Sequence, residues 1–125
     1  MDMRIRISSP SIGQAHAELN DGSHTARAVW ASLPLEARAN TWGDEIYFSI
    51  PVEAEAEDPR EIVELGDLGY WPPGNAFCIF FGRTPASRGN EIRPASPVNV
   101  FGRVVGDPKI FTNVKNGEKI RVDRA

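Results

Sequence analysis

Apolar and polar residues alternate at both ends of this chain. Met3, Ile5 and Ile7 alternate with arginines, and the same period of two recurs over residues 15–19 and 118–123. This period is typical of a strand that buries one face. We therefore predict a hairpin from the first two segments and a closing strand from the third.

A helical period replaces the alternation over residues 23–33. Ala26, Val29, Trp30 and Leu33 are spaced so that they lie on one face of a helix. A proline follows directly and disfavours helix at the residue before it. The pattern predicts one amphipathic helix over residues 23–33.

A second, shorter helix is predicted over residues 108–115. Asp107 can cap it, and Pro108 suits the first helical position. Asn116 and Gly117 provide a stop signal.

The middle of the chain contains short runs of strand-forming residues. Residues 35–40 and 45–50 are predicted to form another hairpin, and residues 98–105 a strand. Residues 62–65 are interpreted as the start of a strand, with a helix as the competing interpretation. Residues 86–97 are polar, contain two prolines and predict a long surface loop. Roughly eight strands without a βαβ rhythm favour an antiparallel barrel or sandwich.

The stretch GDLGYWPPGNAFCIFFG, residues 66–82, contains the longest apolar run, residues 76–81. Alternate residues of a strand point to opposite sides, and both sets are apolar here, so we predict a strand buried on both faces. One face would fill the barrel, and the predicted helix would cover the other through Trp30. Cys78 is then a small buried apolar residue rather than a nucleophile.

Aromatic side chains cluster around the turn that precedes this run. Tyr70 and Trp71 stand directly before two prolines, which mark a strand end. Together with Trp42 and Tyr47 they could line a concave mouth with polar tips, the usual composition of a ligand site. The alternative is that these rings plug the end of the barrel.

Cationic and hydroxyl side chains follow the same run. An arginine beside an apolar wall can orient a carboxylate or a carbonyl group, and surface ion pairing is its alternative fate. The predicted ligand-binding residues are Trp42, Tyr70, Trp71, Phe81, Arg83, Thr84 and Arg93.

Composition argues against several functional classes. The net charge is −3 and basic residues are scattered, which argues against nucleic acid as a partner. No apolar run approaches the roughly 18 residues of a membrane span, and no signal peptide is visible, so we expect a cytoplasmic protein. No metal ligand spacing or phosphate-binding loop is present, and no cofactor is expected. The acidic residues 52–58 are interpreted as a solvated edge or loop, with cation capture as the alternative.

Several segments have a characteristic spacing of glycines and aromatic residues: TWGDEIYF, GDLGYWPPG, CIFFG, PASPVNV and VFGRVVGD. Together they resemble the small, poorly characterised cyclophilin-like proteins of bacteria and archaea, and the resemblance extends over residues 3–123. It implies a mainly β protein, a closed antiparallel barrel with helices near residues 23–33 and 108–115. We expect one such domain over residues 1–125.

The resemblance does not imply prolyl isomerase activity. Cyclophilins use a Phe-His-Arg and a Gln-Gly-Gly-Asp-Phe segment, and both are absent from this chain. Only Arg83 or Arg93 could replace the cyclophilin arginine. We expect a module that binds a small molecule or an extended peptide at an aromatic-lined barrel mouth. The alternatives are a divergent peptidyl-prolyl cis-trans isomerase and a domain that acts only within a larger assembly.

Overall fold

A computed structural model describes residues 3–125. The described chain forms one antiparallel sheet of nine strands. They are β1 (Arg4–Ser9), β2 (Gly13–Leu19), β3 (Leu35–Arg38), β4 (Asn40–Thr41), β5 (Glu45–Ser49), β6 (Asp67–Trp71), β7 (Ala76–Phe80), β8 (Asn99–Val105) and β9 (Lys119–Arg124). The helical elements are α1 (His24–Ser32) and the 3₁₀ helices Pro72–Gly74 and Pro108–Asn113. Within residues 3–125, no helix has the length and apolar character needed to cross a bilayer.

The sheet closes into a barrel through one short segment of chain. Its strand order is β3-β9-β1-β2-β8-β6-β7-β5-β4, so β3 and β4 lie at opposite ends of the order. They are nevertheless consecutive in sequence, and only Ala39 separates them. Ala39 itself donates its N–H to the Glu118 carbonyl oxygen at 2.8 Å. Residues 35–41 therefore pair with β9 in their first half and with β5 in their second half.

This division corrects the hairpin predicted from residues 35–40 and 45–50. Only Asn40 and Thr41 pair with β5, opposite Tyr47 and Ile46. The alternating pattern correctly indicated a strand, but a pattern cannot tell which neighbour each half of the strand pairs with. The predicted hairpin of β1 and β2 and the closing strand β9 are confirmed.

Helix α1 forms where its apolar period predicted it. The Ser23 side chain caps it by accepting a hydrogen bond from the Ala26 N–H at 3.1 Å, and Leu33 ends it. Ala26 and Val29 are fully buried in the main core. The predicted short helix is also confirmed, as the 3₁₀ helix Pro108–Asn113.

The expectation that Trp30 covers the outer face of β7 is wrong. Trp30 is half-buried against the main core, and the Arg124 guanidinium lies over its ring, 4.5 Å from the centroid. The helix packs against β8, because the chain enters it from β2, the neighbour of β8 in the sheet. Its apolar face therefore closes the barrel interior and does not reach the outside of β7.

Strand β7 is buried on both faces, as predicted. On the inner face the ring of Phe77 stacks on Phe48 at 4.9 Å and meets the edge of Phe101 at 5.1 Å. The outer face forms a second apolar cluster, whose buried members are Ala76, Cys78, Phe80, Val63, Ile92 and Val98.

The cover of this outer face is the segment between β7 and β8, residues 81–98. Residues 86–97 of this segment were predicted as a surface loop, and they form a loop, but Ile92 within it and Val98 directly after it are buried against β7. Residues 62–65 form neither the predicted strand nor the competing helix. Val63 makes one isolated bridge to Ile92 and is buried, whereas Ile62 and Leu65 are exposed.

The acidic residues 52–58 form a loop, as expected, but one of them has a structural role. The Glu57 carboxylate accepts hydrogen bonds from the Ser23 hydroxyl, the His24 N–H, and both the N–H and hydroxyl of Thr25, at 2.8–3.0 Å. Partial burial acts to raise the pKa of Glu57, but these four bonds outweigh it and lower the pKa to about 2. The carboxylate thus satisfies free N–H groups at the start of α1.

Candidate ligand-binding cavity

A cavity of about 220 Å³ lies on the outer surface of the barrel wall formed by β5, β6 and β7. It is therefore not at the barrel mouth, where the aromatic site was expected. The loop of residues 81–98 forms its far wall. Its lining is almost entirely apolar and aromatic, with a single carboxyl group: Trp42, Glu45, Tyr47, Trp71, Cys78, Pro94, Ala95 and Val98.

Strand register explains why these side chains meet. Tyr47 pairs with Cys78 across β5 and β7, and Trp71 pairs with Ala76 across β6 and β7, so their side chains share one face of the sheet. Glu45 stands two residues before Tyr47 and projects from the same face. The cavity floor therefore follows from register alone.

Trp42 reaches the cavity from the turn between β4 and β5. Gly43 adopts a left-handed backbone with φ +60°, and a Cβ added there would lie 2.8 Å from Pro85 Cδ. The Asp44 N–H donates to the Arg83 carbonyl oxygen at 2.8 Å, and the Phe81 N–H donates to the Asp44 carbonyl oxygen at 2.9 Å. These contacts hold the turn against the loop that forms the opposite wall.

Trp71 connects the floor to the loop. Its indole N–H donates to the Ser96 hydroxyl at 2.7 Å, and its ring lies over Gly74, where an added Cβ would come within 3.0 Å. The side chain is half-buried. One indole thus contributes an aromatic surface to the cavity and anchors the loop.

Glu45 is the unusual group in this site. The residue is only 5% exposed, and its Oε1 atom has no hydrogen-bond partner among the described residues. Burial raises the pKa of Glu45 to about 7, and the Cys78 thiol beside it offsets this only in part. Burial and the adjacent Glu45 also raise the pKa of Cys78 well above its usual value, so the thiol stays protonated. A carboxyl group that is half ionised near neutral pH can donate a hydrogen bond to a carbonyl or pair with a cation.

The structure brings together two of the seven predicted binding residues, Trp42 and Trp71. Tyr70 is fully buried inside the barrel, where its hydroxyl donates to the Val52 carbonyl oxygen at 2.7 Å. Phe81 is also buried, with its ring 6.5 Å from that of Phe111. Both therefore belong to the barrel core and not to the cavity lining.

The remaining three predicted residues lie in the loop but do not line the cavity. Arg83 is exposed, and Arg93 forms an ion pair with Glu91 at 3.1 Å. Thr84 is buried and its hydroxyl donates to the Arg93 carbonyl oxygen, which stabilises the fold of the loop.

Sequence reasoning missed Glu45 and interpreted Cys78 only as packing. The signal was available, because Glu45 directly precedes the strand-forming run 46–50 and is in phase with Tyr47, two residues later. Within residues 3–125, no three His, Cys, Asp or Glu side chains are grouped as metal ligands would be.

Comparison with known proteins agrees with this architecture. A family model described as cyclophilin-like matches residues 3–123. The chain is similar to the hypothetical protein AF2241 from Archaeoglobus fulgidus, whose structure was solved in solution. The two are 45% identical with a TM-score of 0.82, over 99% of this chain and 95% of that one. No curated protein matches the chain. The resemblance and the antiparallel barrel expected from the sequence are thereby confirmed, and the chain belongs to the cyclophilin-like family.

Proposed function

We propose that this protein is a binding barrel that takes up a small molecule, or one side chain of an extended peptide, in the cavity outside β5, β6 and β7. The observation that supports this proposal is the combination of an apolar, aromatic cavity with one buried carboxyl group whose Oε1 atom lacks a partner among the described residues. Apolar walls with a few convergent polar groups are the usual composition of a ligand site.

The cost of burying Glu45 supports the same proposal. A buried polar atom without a hydrogen bond costs about 1–3 kcal/mol, and folding retains such groups mostly where they have a role. A ligand that supplies the missing partner to Glu45 would recover part of this cost. Binding would then be specific, because a purely apolar occupant leaves Oε1 unsatisfied.

The size of the cavity limits the ligand. A volume of about 220 Å³ is below the roughly 300–1,000 Å³ of sites for drug-sized molecules. The occupant is therefore a compact group with one ring or a few branched carbons, or a single side chain of a peptide.

Prolyl isomerase activity is the weaker alternative. It needs a cation that donates to the prolyl nitrogen, and neither Arg83 nor Arg93 lines the cavity. A role within a larger assembly is the other alternative, and the same ligand test addresses it, because binding by the isolated chain would not need a partner.

Titration followed by NMR tests the binding proposal. The three indole N–H signals of isotope-labelled protein report separately on Trp42, Trp71 and Trp30, and Trp30 lies outside the cavity. We expect members of a set of small ring compounds and short proline-containing peptides to shift the Trp42 and Trp71 signals and leave Trp30 unchanged. The proposal would be contradicted if the compounds that bind shift all three signals equally, or if no compound in the set shifts any of them.

A variant separates binding from structural support. Trp71→Ala removes both a cavity wall and the hydrogen bond to Ser96, and we expect it to abolish the ligand-dependent shift of Trp42. Thermal unfolding of the same variant is the control. Unchanged binding in a folded Trp71→Ala protein would show that the ligand lies elsewhere.

A further inference from the structure

We propose that the ligand group held in this cavity is a methylated ammonium cation, with Trp42, Tyr47 and Trp71 around it and Glu45 as its counter-ion. The inference rests on the binding function proposed above and names the ligand class.

The side chains that line the cavity match this class of ligand. Three of the eight lining residues are Trp or Tyr, the rings whose faces attract cations most strongly. The other walls, Pro94, Ala95 and Val98, are uncharged. The three rings are half-buried, and a cation held among them would lose part of its hydration, which strengthens its attraction to the ring faces.

The scarcity of hydrogen-bond acceptors selects a methylated ammonium over a primary one. A primary ammonium presents three donors, which need three acceptors when they are buried. Glu45 offers the only carboxyl group in the lining, and its Oε1 atom is unpartnered. A tri- or tetramethylated nitrogen has at most one N–H, and its methyl groups pack on the rings.

No cationic side chain of the described residues pairs with Glu45, so its charge is available to a ligand cation. Within residues 3–125, Glu45 takes part in no ion pair. The titratable groups nearest to it are Tyr47 on its own strand, Cys78 on β7 and Asp44 in the adjacent turn, and none of these is cationic. The loop that forms the far wall carries Arg83 and Arg93, but neither lines the cavity, and Arg93 is paired with Glu91. Because the pKa of Glu45 is about 7, the ionised form that a cation requires becomes dominant above neutrality.

Two matched probes test the charge requirement. Choline carries a trimethylammonium group, and 3,3-dimethylbutan-1-ol is its neutral isostere. We expect choline to shift the Trp42 and Trp71 indole signals and to bind at least about tenfold more tightly than the alcohol. Between about pH 6 and pH 8 its apparent affinity should rise about tenfold, since only protein with ionised Glu45 is competent to bind.

The Glu45→Gln variant keeps the shape of the side chain and removes the charge. It should lose at least about tenfold in choline affinity, lose the pH dependence, and bind the alcohol as the unchanged protein does. Glu53→Gln removes one exposed carboxylate outside the cavity and should leave choline binding unchanged.

The outcomes separate this inference from the proposed function. Equal binding of choline and the alcohol, or unchanged choline binding in Glu45→Gln, overturns the cation proposal and leaves the binding proposal standing. Failure of choline to bind also overturns the cation proposal. The broader ligand set described above then decides the binding function independently.

Discussion

Glu45 and Glu57 are two glutamates in opposite environments. Glu57 lies in an open loop, accepts four hydrogen bonds at the start of α1, and has its pKa lowered to about 2. Glu45 lies in a strand, and the residue is only 5% exposed. Its Oε1 atom has no partner, and its pKa is raised to about 7.

The difference teaches how to distinguish a structural acid from a functional one. A carboxylate whose hydrogen bonds are satisfied stabilises the fold, and folding alone accounts for it. A buried carboxyl group with an unsatisfied oxygen opposes folding, and a ligand site accounts for it better. The predictions below test each half of this contrast.

The largest effect is expected from Glu45→Gln. Because folding raises the pKa of Glu45 from 4.5 to about 7, the group disfavours the folded state once it ionises. The free energy of unfolding of the unchanged protein should therefore fall as pH rises between these two values. The variant should lack this loss and be more stable at about pH 8, by on the order of 3 kcal/mol. Urea unfolding of both proteins at acidic and alkaline pH measures the difference.

The unchanged protein is the control for Glu45→Gln. All other titratable groups contribute equally to the stability of both proteins, so their contributions cancel in the difference. The stability difference should be near zero below the unfolded pKa and grow as pH rises. A difference that stays constant with pH would show that Glu45 is not held in an unfavourable environment.

The second prediction concerns Asn99, which is 1% exposed and holds the Glu57 loop in place. Its amide accepts from the Glu57 N–H at 2.8 Å and donates to the Glu55 carbonyl oxygen at 2.8 Å. Asn99→Ala leaves both groups without this partner, so we expect a loss of about 1–3 kcal/mol in the free energy of unfolding. Asn113→Ala, at an exposed position, is the matched control and should change stability by less than about 0.5 kcal/mol.

The smallest effect is expected from Glu57→Gln. Removing the charge weakens the hydrogen bonds at the start of α1 and should cost about 1 kcal/mol at neutral pH. The lowered pKa means that this stabilisation is present above pH 4.5 and is lost as pH falls toward 2. The difference between the two proteins should therefore shrink in acid, as it does for Glu45, but with the opposite sign, because Glu57→Gln is less stable than the unchanged protein and Glu45→Gln is more stable. Glu55→Gln, an exposed neighbour, should show no such trend, and equal effects of both substitutions would contradict the role assigned to Glu57.

The elements that the sequence predicted well have a clear hydrophobic period. In β1, β9 and α1 one face is buried and the other is more exposed, so the pattern reports the structure directly. Residues 62–65 were misread because Val63 alone is buried, by the loop that lies over it, and no period records that contact.

The candidate site was predicted only in part, and two errors share one cause. Tyr70 and Trp71 were assigned to the same cavity, although consecutive residues of a strand point to opposite faces. Tyr70 faces the barrel interior and Trp71 the cavity. The same rule separates Phe81, which packs inside, from Cys78, which lies outside.

The sequence by itself determined an antiparallel β architecture, the position of α1 and the double burial of β7, because local period and turn residues encode them. The family resemblance then selected the barrel over the sandwich. The tertiary structure decided that a loop and not the helix covers β7, and that Glu45 meets Trp42 and Trp71. These contacts depend on the register in which strands distant in sequence pair, and on where the loop between them lies. Neither the register nor the position of the loop is encoded in a local pattern of the chain.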